Sequence, residues 1–253
     1  MNTVIILAGG LGKRMNSDVP KVLHRVGGVP MLIRVIWEAD PIANRILIVV
    51  GKHRELIQMV INESSNIPYE KIEYVDQPIP KGTGHAVMCC LPYLKQNQPV
   101  LILSGDVPLI KTDTMRLMIS SSNRNYFCVM AATVENPTGY GRLLLDEDKE
   151  KGYFIVEEKD CSDRERECKL VNCGIYSTYG GILMQYLPFL TTNNSQGEYY
   201  LTDIVKILRT HGIATQICEI SEEKKHEVMG VNTEEDLNVI GKFCYADADD
   251  TPF

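Results

Sequence analysis

Short runs of apolar residues separated by longer amphipathic stretches dominate the first half of the chain. The runs at residues 4–7, 45–50, 72–75 and 100–103 each have the length of a strand and little polar interruption. Continuous apolar strands of this kind are typical of sheets that are buried on both faces. Because helical patterns lie between the runs, the sequence predicts an α/β fold: a Rossmann-like, mostly parallel or mixed sheet flanked by helices.

The segments between these runs carry helix signals. The pattern predicts helices over residues 31–39, 55–62 and 83–94. In open parallel sheets the ligand lies beyond the carboxyl ends of the strands. We therefore expect the functional residues in the segments that follow Leu7, Val75 and Leu103.

The second half of the chain alternates less regularly. Strands are predicted over residues 127–134, 142–145, 154–156, 170–177 and 214–220, and helices over residues 199–211 and 233–243. We find no repeat or linker, so one α/β unit over residues 1–246 with a mixed-sheet extension fits the pattern. The acidic residues 247–253 are expected to form a frayed tail.

Charge and hydropathy restrict the function classes. The chain has 26 Lys and Arg against 33 Asp and Glu, which gives a net charge of −7. Such a chain is a poor candidate for binding nucleic acid or an anionic membrane. Its apolar stretches all fall short of the ~20 residues that span a bilayer, and its first residues do not resemble a signal sequence. We therefore expect a cytoplasmic protein with neither nucleic acid nor a membrane as partner.

A glycine-rich loop follows the first predicted strand. Gly9, Gly10 and Gly12 leave backbone N–H groups accessible to an anion. The loop is not a P-loop, which would place a glycine where Leu7 stands. It is not a dinucleotide fingerprint either, because Met15 occupies the position of a small residue. Taken alone, the loop is equally compatible with a plain connection between a strand and a helix.

The continuation of this loop is more specific. Arg14-Met15, Pro20-Lys21 and a Gly-x-Pro-Met sequence at residues 28–31 follow the glycines in order. This arrangement resembles the signature of the sugar-phosphate nucleotidyltransferases. Further segments are similar to the uridyltransferase domains of the bacterial N-acetylglucosamine-1-phosphate uridyltransferases, and they lie at residues 77–86, 104–109, 136–142, 157–160, 196–203 and 230–232. The resemblance covers nearly the whole chain.

The resemblance implies a reaction and a set of site residues. UTP and N-acetylglucosamine-1-phosphate would give UDP-N-acetylglucosamine and pyrophosphate, with Mg²⁺ as cofactor. Residues 1–110 would bind the nucleotide and residues 111–246 the sugar. The implied catalytic residues are Arg14 and Lys21, and the implied metal ligands are Asp106 and Asn232. The nucleotide would contact Leu7, Ala8, Gly9, Gly10, Gln77, Gly82 and Thr83, and the sugar would contact Gly141, Glu157 and Asn172.

For several of these residues, the chemistry of the side chain suggests a role independently of the resemblance. The planar amide of Gln77 suits the edge of a pyrimidine, and Asp106 follows a buried strand, where a carboxylate facing phosphates is a natural Mg²⁺ ligand. The alternatives are a turn-capping Asp106, a helix-capping Asn232 and a solvated Lys21. Tyr199 and Tyr200 are at least as consistent with core aromatics on a helix face as with ligand contacts.

Departures from the bacterial pattern bear on specificity. Ser104 stands where those relatives usually carry Tyr, Lys13 where they often carry Thr, and Cys173 where Thr is common. The hexapeptide repeats of a left-handed β-helix are absent from these 253 residues, so neither acetyl transfer nor the β-helix trimer is expected, although another oligomer stays open. The rival hypotheses are a transferase for glucose or N-acetylgalactosamine phosphate, and a non-catalytic regulatory subunit that binds nucleotide sugars.

Overall fold

A nine-stranded mixed sheet organises the protein. A computed structural model describes residues 1–10, 15, 17, 19–122, 124, 126–146 and 152–246. Lys13, Arg14 and the predicted acidic tail lie outside these residues. The strands are β1 (Thr3–Leu7), β2 (Arg25–Val26), β3 (Val29–Pro30), β4 (Arg45–Val50), β5 (Ile72–Asp76), β6 (Pro99–Ser104), β7 (Phe127–Thr133), β8 (Arg142–Leu145), β9 (Tyr153–Val156), β10 (Leu170–Tyr179) and β11 (Thr215–Glu219).

Four parallel strands form one side of the sheet, in the spatial order β6-β1-β4-β5, with β5 at the edge. Successive residues of β4 alternate between two hydrophobic clusters: Ile46 and Ile48 pack on one face, and Leu47 and Val49 pack on the other. This period of two buries both faces of the strand, which explains why its sequence is apolar throughout. The predicted parallel, doubly covered sheet is confirmed.

The second half of the chain extends this sheet with antiparallel strands. β10 pairs antiparallel with both β6 and β7, and β11 pairs parallel with β7. The β8–β9 hairpin joins at one end of β10. The predicted mixed-sheet extension is thus confirmed. Apart from the β2–β3 hairpin, every strand in the described part of the chain belongs to this sheet, and none of these residues forms a β-helix.

Helices cover the faces of the sheet. They are α1 (Met31–Ala39), α2 (Arg54–Asn62), α3 (Thr83–Cys89), α4 (Thr112–Ser121), α5 (Asp163–Arg166), α6 (Gly180–Tyr186), α7 (Asp203–Thr210) and α8 (Glu234–Ala246). The sequence pattern missed α4, α5 and α6, which are short or rich in Ser, Thr and Gly. None of the described helices is long and apolar enough to cross a membrane.

Two predicted helices have wrong bounds, each for a local reason. The helix predicted over residues 83–94 ends at Cys89, and a 3₁₀ turn follows at Leu91–Tyr93, because Pro92 has no N–H to continue the helix. The helix predicted from residue 199 begins only at Asp203. Tyr199 instead pairs its backbone with the loop before α3, since its N–H donates to Lys81 and its carbonyl accepts from Gly84.

Candidate active site

A groove lies at the point where the strand order reverses. In the large sheet β1 pairs with β4, the next strand of that sheet in sequence, on one side and with β6 on the other. Leu7 at the end of β1 pairs with Ser104 at the end of β6. Open α/β sheets bind ligands at such a switch point. A cavity of about 830 Å³ opens there, and a smaller one of about 210 Å³ shares part of its lining, including Asp106, Glu157 and Asn232.

Three polar side chains from distant parts of the sequence meet in this cavity. The ammonium group of Lys21 forms an ion pair with Asp106 and donates a hydrogen bond of 2.9 Å to the amide oxygen of Asn232. The side chains of Lys21 and Asp106 are 13% and 22% exposed, so the ion pair is largely shielded from water. The structure brings these three residues together, and their chemical roles stay predictions.

Local backbone geometry places Lys21 and Asp106. Lys21 begins a 3₁₀ turn directly after Pro20, and the next two residues of that turn are buried. Asp106 follows Gly105, whose N–H donates to the carbonyl of Leu7 at 3.0 Å. A Cβ at Gly105 would lie 3.1 Å from that carbonyl oxygen. The absence of a side chain therefore allows β6 to pass close to β1 and to present Asp106 at the cavity.

Asn232 is positioned by the start of α8. Its N–H donates to the Asp236 carboxylate at 2.7 Å, and the hydroxyl of Thr233 accepts from the Asp236 N–H at 3.1 Å. Val231 N–H donates to the Asp106 carbonyl at 2.9 Å and ties this segment to β6. Thr233 and Asp236 thus cap the helix, which leaves the Asn232 side chain to contact Lys21.

The oxygen atoms around Lys21 form a donor set suited to a divalent cation. A carboxylate and an amide oxygen converge on one ammonium group, and Mg²⁺ prefers oxygen ligands, with one or two protein carboxylates and the rest from phosphates and water. Among the described residues, no group of three or more His, Cys, Asp or Glu side chains is placed to hold a metal ion. The residues present therefore fit a magnesium ion that shares its remaining positions with a phosphorylated ligand.

A neutral polar group, the side-chain amide of Gln77, forms the wall on the side of β5. Gln77 is 6% exposed, and its amide nitrogen donates to the Gly82 carbonyl at 3.0 Å and lies 3.1 Å from Nδ1 of His85. A Cβ built on Gly9 would lie 3.4 Å from the amide oxygen of Gln77. The backbone at Gly82 has a φ of +102°, and a Cβ there would lie 2.5 Å from the Tyr199 carbonyl oxygen. Any other residue at position 82 would therefore be strained and would approach the Tyr199 carbonyl too closely.

The remaining residues predicted to bind the nucleotide differ in how they face the cavity. The cavity is lined by Leu7, Gly9, Gly10, Gln77, Gly82 and Thr83. The Thr83 hydroxyl also accepts from the N–H of Leu201 at 3.1 Å. Ala8 is buried, and its N–H donates to Val49 at 2.9 Å. Ala8 therefore supports the loop from beneath, and it lines neither of the two cavities.

The opposite wall brings together Gly141, Glu157 and Asn172, the residues to which the resemblance assigns the sugar. The Glu157 carboxylate accepts from the hydroxyl of Thr202 at 2.7 Å. Burial raises its pKa, a shift that the Thr202 hydrogen bond opposes. A Cβ on Gly141 would lie 3.5 Å from the Glu157 carboxylate oxygen. Asn172 N–H donates to the Gly141 carbonyl at 2.9 Å, so the three residues form one connected surface.

A bulge in β10 orients the Asn172 side chain. The pairing of β10 with β7 shifts register between Asn172 and Tyr176, and Gly174 has a φ of +71° in this stretch. The Asn172 amide donates to the Tyr176 hydroxyl at 2.8 Å and accepts from Gly174 N–H at 3.0 Å. One N–H and one lone pair of the amide are left over for a ligand. Bulges commonly redirect a side chain in this way.

A buried arginine lies behind the wall formed by Gly141, Glu157 and Asn172. Arg142 is 1% exposed, forms a 2.7 Å ion pair with Glu158 and donates to the Tyr140 carbonyl. The same Glu158 carboxylate accepts from Gly139 N–H at 3.3 Å. Arg142 and Glu158 therefore connect the turn at Gly139 and Tyr140 with the segment that carries Glu157.

Comparison with known proteins agrees with this geometry. Residues 4–151 match the family described as MobA-like NTP transferase domain. The chain belongs to this family. A relative from Acanthamoeba polyphaga mimivirus, named probable UDP-N-acetylglucosamine pyrophosphorylase, is 40% identical to this NTP transferase over 94% of both chains. The resemblance stated from the sequence is confirmed.

Longer bacterial relatives match with similar identity. The bifunctional protein GlmU of Francisella philomiragia is 40% identical over 90% of this chain and 49% of its own length. The GlmU of Nitrosomonas europaea is 39% identical over 94% of this chain and 50% of its own length. This NTP transferase thus spans about half the length of those bifunctional relatives.

Sequence reasoning missed three residues of this NTP transferase site: His85, Arg142 and Thr202. All three lie inside segments that carried the resemblance. The His85 side chain contacts Gln77, and the Thr202 hydroxyl donates to Glu157. Thr202 also lines the smaller cavity. Tyr199 and Tyr200 precede α7 and do not lie on a helix face, so the interpretation of the two as core aromatics of a helix is wrong. Tyr200 is buried, and its hydroxyl accepts from Gln196 at 2.8 Å.

Proposed function

We propose that the chain is a uridylyltransferase that converts UTP and N-acetylglucosamine-1-phosphate to UDP-N-acetylglucosamine and pyrophosphate. One observation carries the proposal: Lys21, Asp106 and Asn232 converge between a wall with a free amide acceptor and a wall with a carboxylate and an amide. The names of the relatives suggest the sugar and the type of reaction. The family supplies the nucleoside triphosphate.

The reaction is an in-line displacement. An oxygen of the sugar-1-phosphate attacks the α-phosphorus of UTP, the bond to the β-phosphate oxygen breaks, and pyrophosphate leaves with the electron pair. This transfer needs no covalent enzyme intermediate. The contribution of the protein is to align the two phosphates and to neutralise the charge that accumulates on their oxygens.

Lys21 supplies positive charge at the reacting phosphates. Its ammonium lies beside Asp106 and Asn232 at the junction of the two walls, where the phosphates of both substrates would meet. A positioned cation stabilises the transition state without reorganising during the reaction. Arg14, which the resemblance places on the departing pyrophosphate, lies outside the described residues, and its role is proposed from the sequence alone.

Asp106 and Asn232 would hold Mg²⁺, because their oxygens already converge on a single cation. When bound, the ion supplies charge neutralisation and orients the phosphate oxygens. Asp106 and Asn232 provide these ligands from two segments that the Val231–Asp106 backbone hydrogen bond fixes relative to each other.

The two walls would select the remaining parts of the substrates. The Gln77 amide would bind the uracil edge, where Gly82 lets the backbone come close to a flat base. Glu157 would accept hydrogen bonds from sugar hydroxyls, and Asn172 would use its remaining N–H and lone pair on hydroxyl or acetamido groups. Charged and amide acceptors in a partly buried wall are well suited to a polar ligand such as a sugar.

The experiment follows pyrophosphate release from purified protein with UTP, Mg²⁺ and N-acetylglucosamine-1-phosphate. We expect release that EDTA abolishes and that excess Mg²⁺ restores. Glucose-1-phosphate and N-acetylgalactosamine-1-phosphate in the same assay test the rival sugars, because Ser104 and Cys173 both line the smaller cavity. Absence of release with every sugar, together with tight binding of UDP-N-acetylglucosamine, would favour the non-catalytic regulatory subunit.

Location and assembly complete the proposal. A cytoplasmic enzyme has access to both substrates, and the sequence prediction of a cytoplasmic chain agrees with this requirement. The acetyl transfer and the trimer of the β-helix type, which the sequence does not predict, form no part of the proposed activity. Gel filtration of the purified chain measures whether another oligomer forms.

A further inference from the structure

The two hydrogens of the Gln77 amide nitrogen are both directed at partners within the protein. One is donated to the Gly82 carbonyl at 3.0 Å, and the other is directed at Nδ1 of His85 at 3.1 Å. A carbonyl oxygen can only accept a hydrogen bond, so the Gly82 contact identifies the nitrogen end of the amide. The His85 contact then uses the second hydrogen, provided that Nδ1 carries a lone pair and the ring proton is on Nε2.

This arrangement leaves Gln77 with one kind of group for a ligand. No described residue donates to its amide oxygen, which lies beside Gly9 in the lining of the larger cavity. An acceptor in this position matches a ring N–H, which uracil carries at N3. Cytosine has a lone pair at N3, so it would face the amide oxygen with a second acceptor. A site built around one such hydrogen bond rejects the analogue that lacks it.

We propose that His85 is the positioning residue that makes Gln77 selective for a uracil base over cytosine. By accepting the second amide hydrogen, neutral His85 opposes rotation of the amide by half a turn, which would present its NH₂ group to cytosine N3. The inference rests on the proposed function only in assuming that a pyrimidine nucleotide binds in the larger cavity. It goes further in assigning base selection to a residue that does not touch the base.

The surroundings of His85 favour the neutral ring. Burial, followed by the positive charge of Lys81, lowers its pKa below the ordinary value for histidine. The other titratable groups in the elements packed around it are Cys89 on α3, Tyr199, whose ring centroid lies 6.3 Å from that of His85, and Glu198 in the same segment. The acceptor at Nδ1 is therefore retained at neutral pH and is lost when acid protonates the ring.

The test compares two variants that differ in the acceptor. His85→Leu removes it, whereas His85→Asn places an amide oxygen near the position of Nδ1 and cannot be protonated in this pH range. Binding of UTP and of CTP, each with Mg²⁺, is measured by calorimetry for both variants and for the unaltered protein. Circular dichroism establishes that each variant is folded.

We expect the preference for UTP over CTP to fall roughly tenfold in His85→Leu, the effect of one lost hydrogen bond, and to recover in His85→Asn. In the unaltered protein the preference falls as the pH drops through the pKa of His85, whereas in His85→Asn it does not. An unchanged preference in folded His85→Leu overturns the inference, as does the absence of any preference in the unaltered protein.

The proposed function is tested separately by turnover. Active enzyme with an unchanged base preference in His85→Leu would refute the inference and leave the function intact. A protein that binds UTP selectively through His85 but releases no pyrophosphate would refute the function and leave the inference intact. If His85→Leu does not fold, the pH dependence of the preference in the unaltered protein and in His85→Asn decides the matter.

Discussion

The two walls of the cavity offer a ligand different kinds of contact. The wall on the side of β5 relies on backbone and neutral groups: glycines at Gly9 and Gly82, and an amide at Gln77 that His85 holds. The wall on the side of β10 relies on charge, with Glu157 facing the cavity and the Arg142–Glu158 ion pair behind it. We expect the first wall to select a ligand by shape and by a neutral hydrogen bond at Gln77, and the second wall to hold it through hydrogen bonds to a charged group.

This difference follows from the strands that build each wall. The parallel strands β1, β4 and β5 end together, so the turns after them expose backbone directly to the cavity. Gly141 precedes β8, Glu157 follows β9, and Asn172 lies within β10 at its bulge, so this wall presents the side chains of Glu157 and Asn172 to the cavity. A residue change is therefore expected to act through backbone strain on the first wall and through lost charge pairing on the second.

The largest effect is expected at Lys21, where the two walls meet. Lys21→Ala removes the cation at the reacting phosphates, and we expect kcat to fall ~10²–10³-fold with little change in either KM, because charge at the transition state is lost. Steady-state kinetics of pyrophosphate release measure this. Lys242→Ala, on the exposed side of α8, is the matched control and is expected to leave turnover unchanged. Near-normal turnover in Lys21→Ala would remove Lys21 from the mechanism.

Arg142→Met tests whether buried charge supports the second wall. Removing one partner of a fully buried ion pair costs ~3–5 kcal/mol, but Glu158 is 28% exposed, so we expect a loss of about 2 kcal/mol in the free energy of unfolding. Because Glu158 then releases Gly139, KM for the sugar phosphate is expected to rise roughly tenfold while KM for UTP changes little. Urea unfolding and two-substrate kinetics measure both.

Arg116→Met is the control for Arg142→Met, since Arg116 pairs with Asp113 on the exposed face of α4. Surface pairs of this kind contribute little to stability, so neither the free energy of unfolding nor either KM should change. An equal rise in both KM values in Arg142→Met would show that the ion pair supports the whole cavity and not the second wall alone.

How far the sequence predicts this site also differs between the walls. Apolar runs place β1, β5 and β6, and the rule that ligands lie beyond strand ends leads directly to Gln77 and Asp106. No pattern predicts that Arg142 is buried, because an arginine beside a turn is ordinarily exposed. Nor does periodicity reveal that Tyr199 pairs with the loop before α3, since that pairing depends on two segments far apart in sequence. Only the family resemblance pointed to Glu157 and Asn172.

Gly82→Ala tests shape on the first wall. A Cβ at Gly82 combines a φ of +102° with an approach of 2.5 Å to the Tyr199 carbonyl oxygen, so we expect about 1–3 kcal/mol of strain and a roughly tenfold rise in KM for UTP. Gly212→Ala is the control, because Gly212 also has a positive φ but no atom lies within 4 Å of its Cβ position. Equal loss of stability in the two variants would show that backbone conformation alone matters and that the close approach to Tyr199 does not.

The smallest effect is expected from the ionisation of Glu157. Burial raises its pKa above the usual range, so the carboxylate begins to be protonated at a higher pH than an exposed glutamate. As the pH falls through that pKa, the protonated group accepts sugar hydroxyls less well, and KM for the sugar phosphate is expected to rise severalfold at saturating UTP. Glu157→Gln should show a raised KM at neutral pH without this dependence, because an amide does not titrate in the range. If KM for the sugar phosphate rises with acid to the same extent in Glu157→Gln, another titrating group causes the rise. The second wall would then act through a group other than the Glu157 carboxylate.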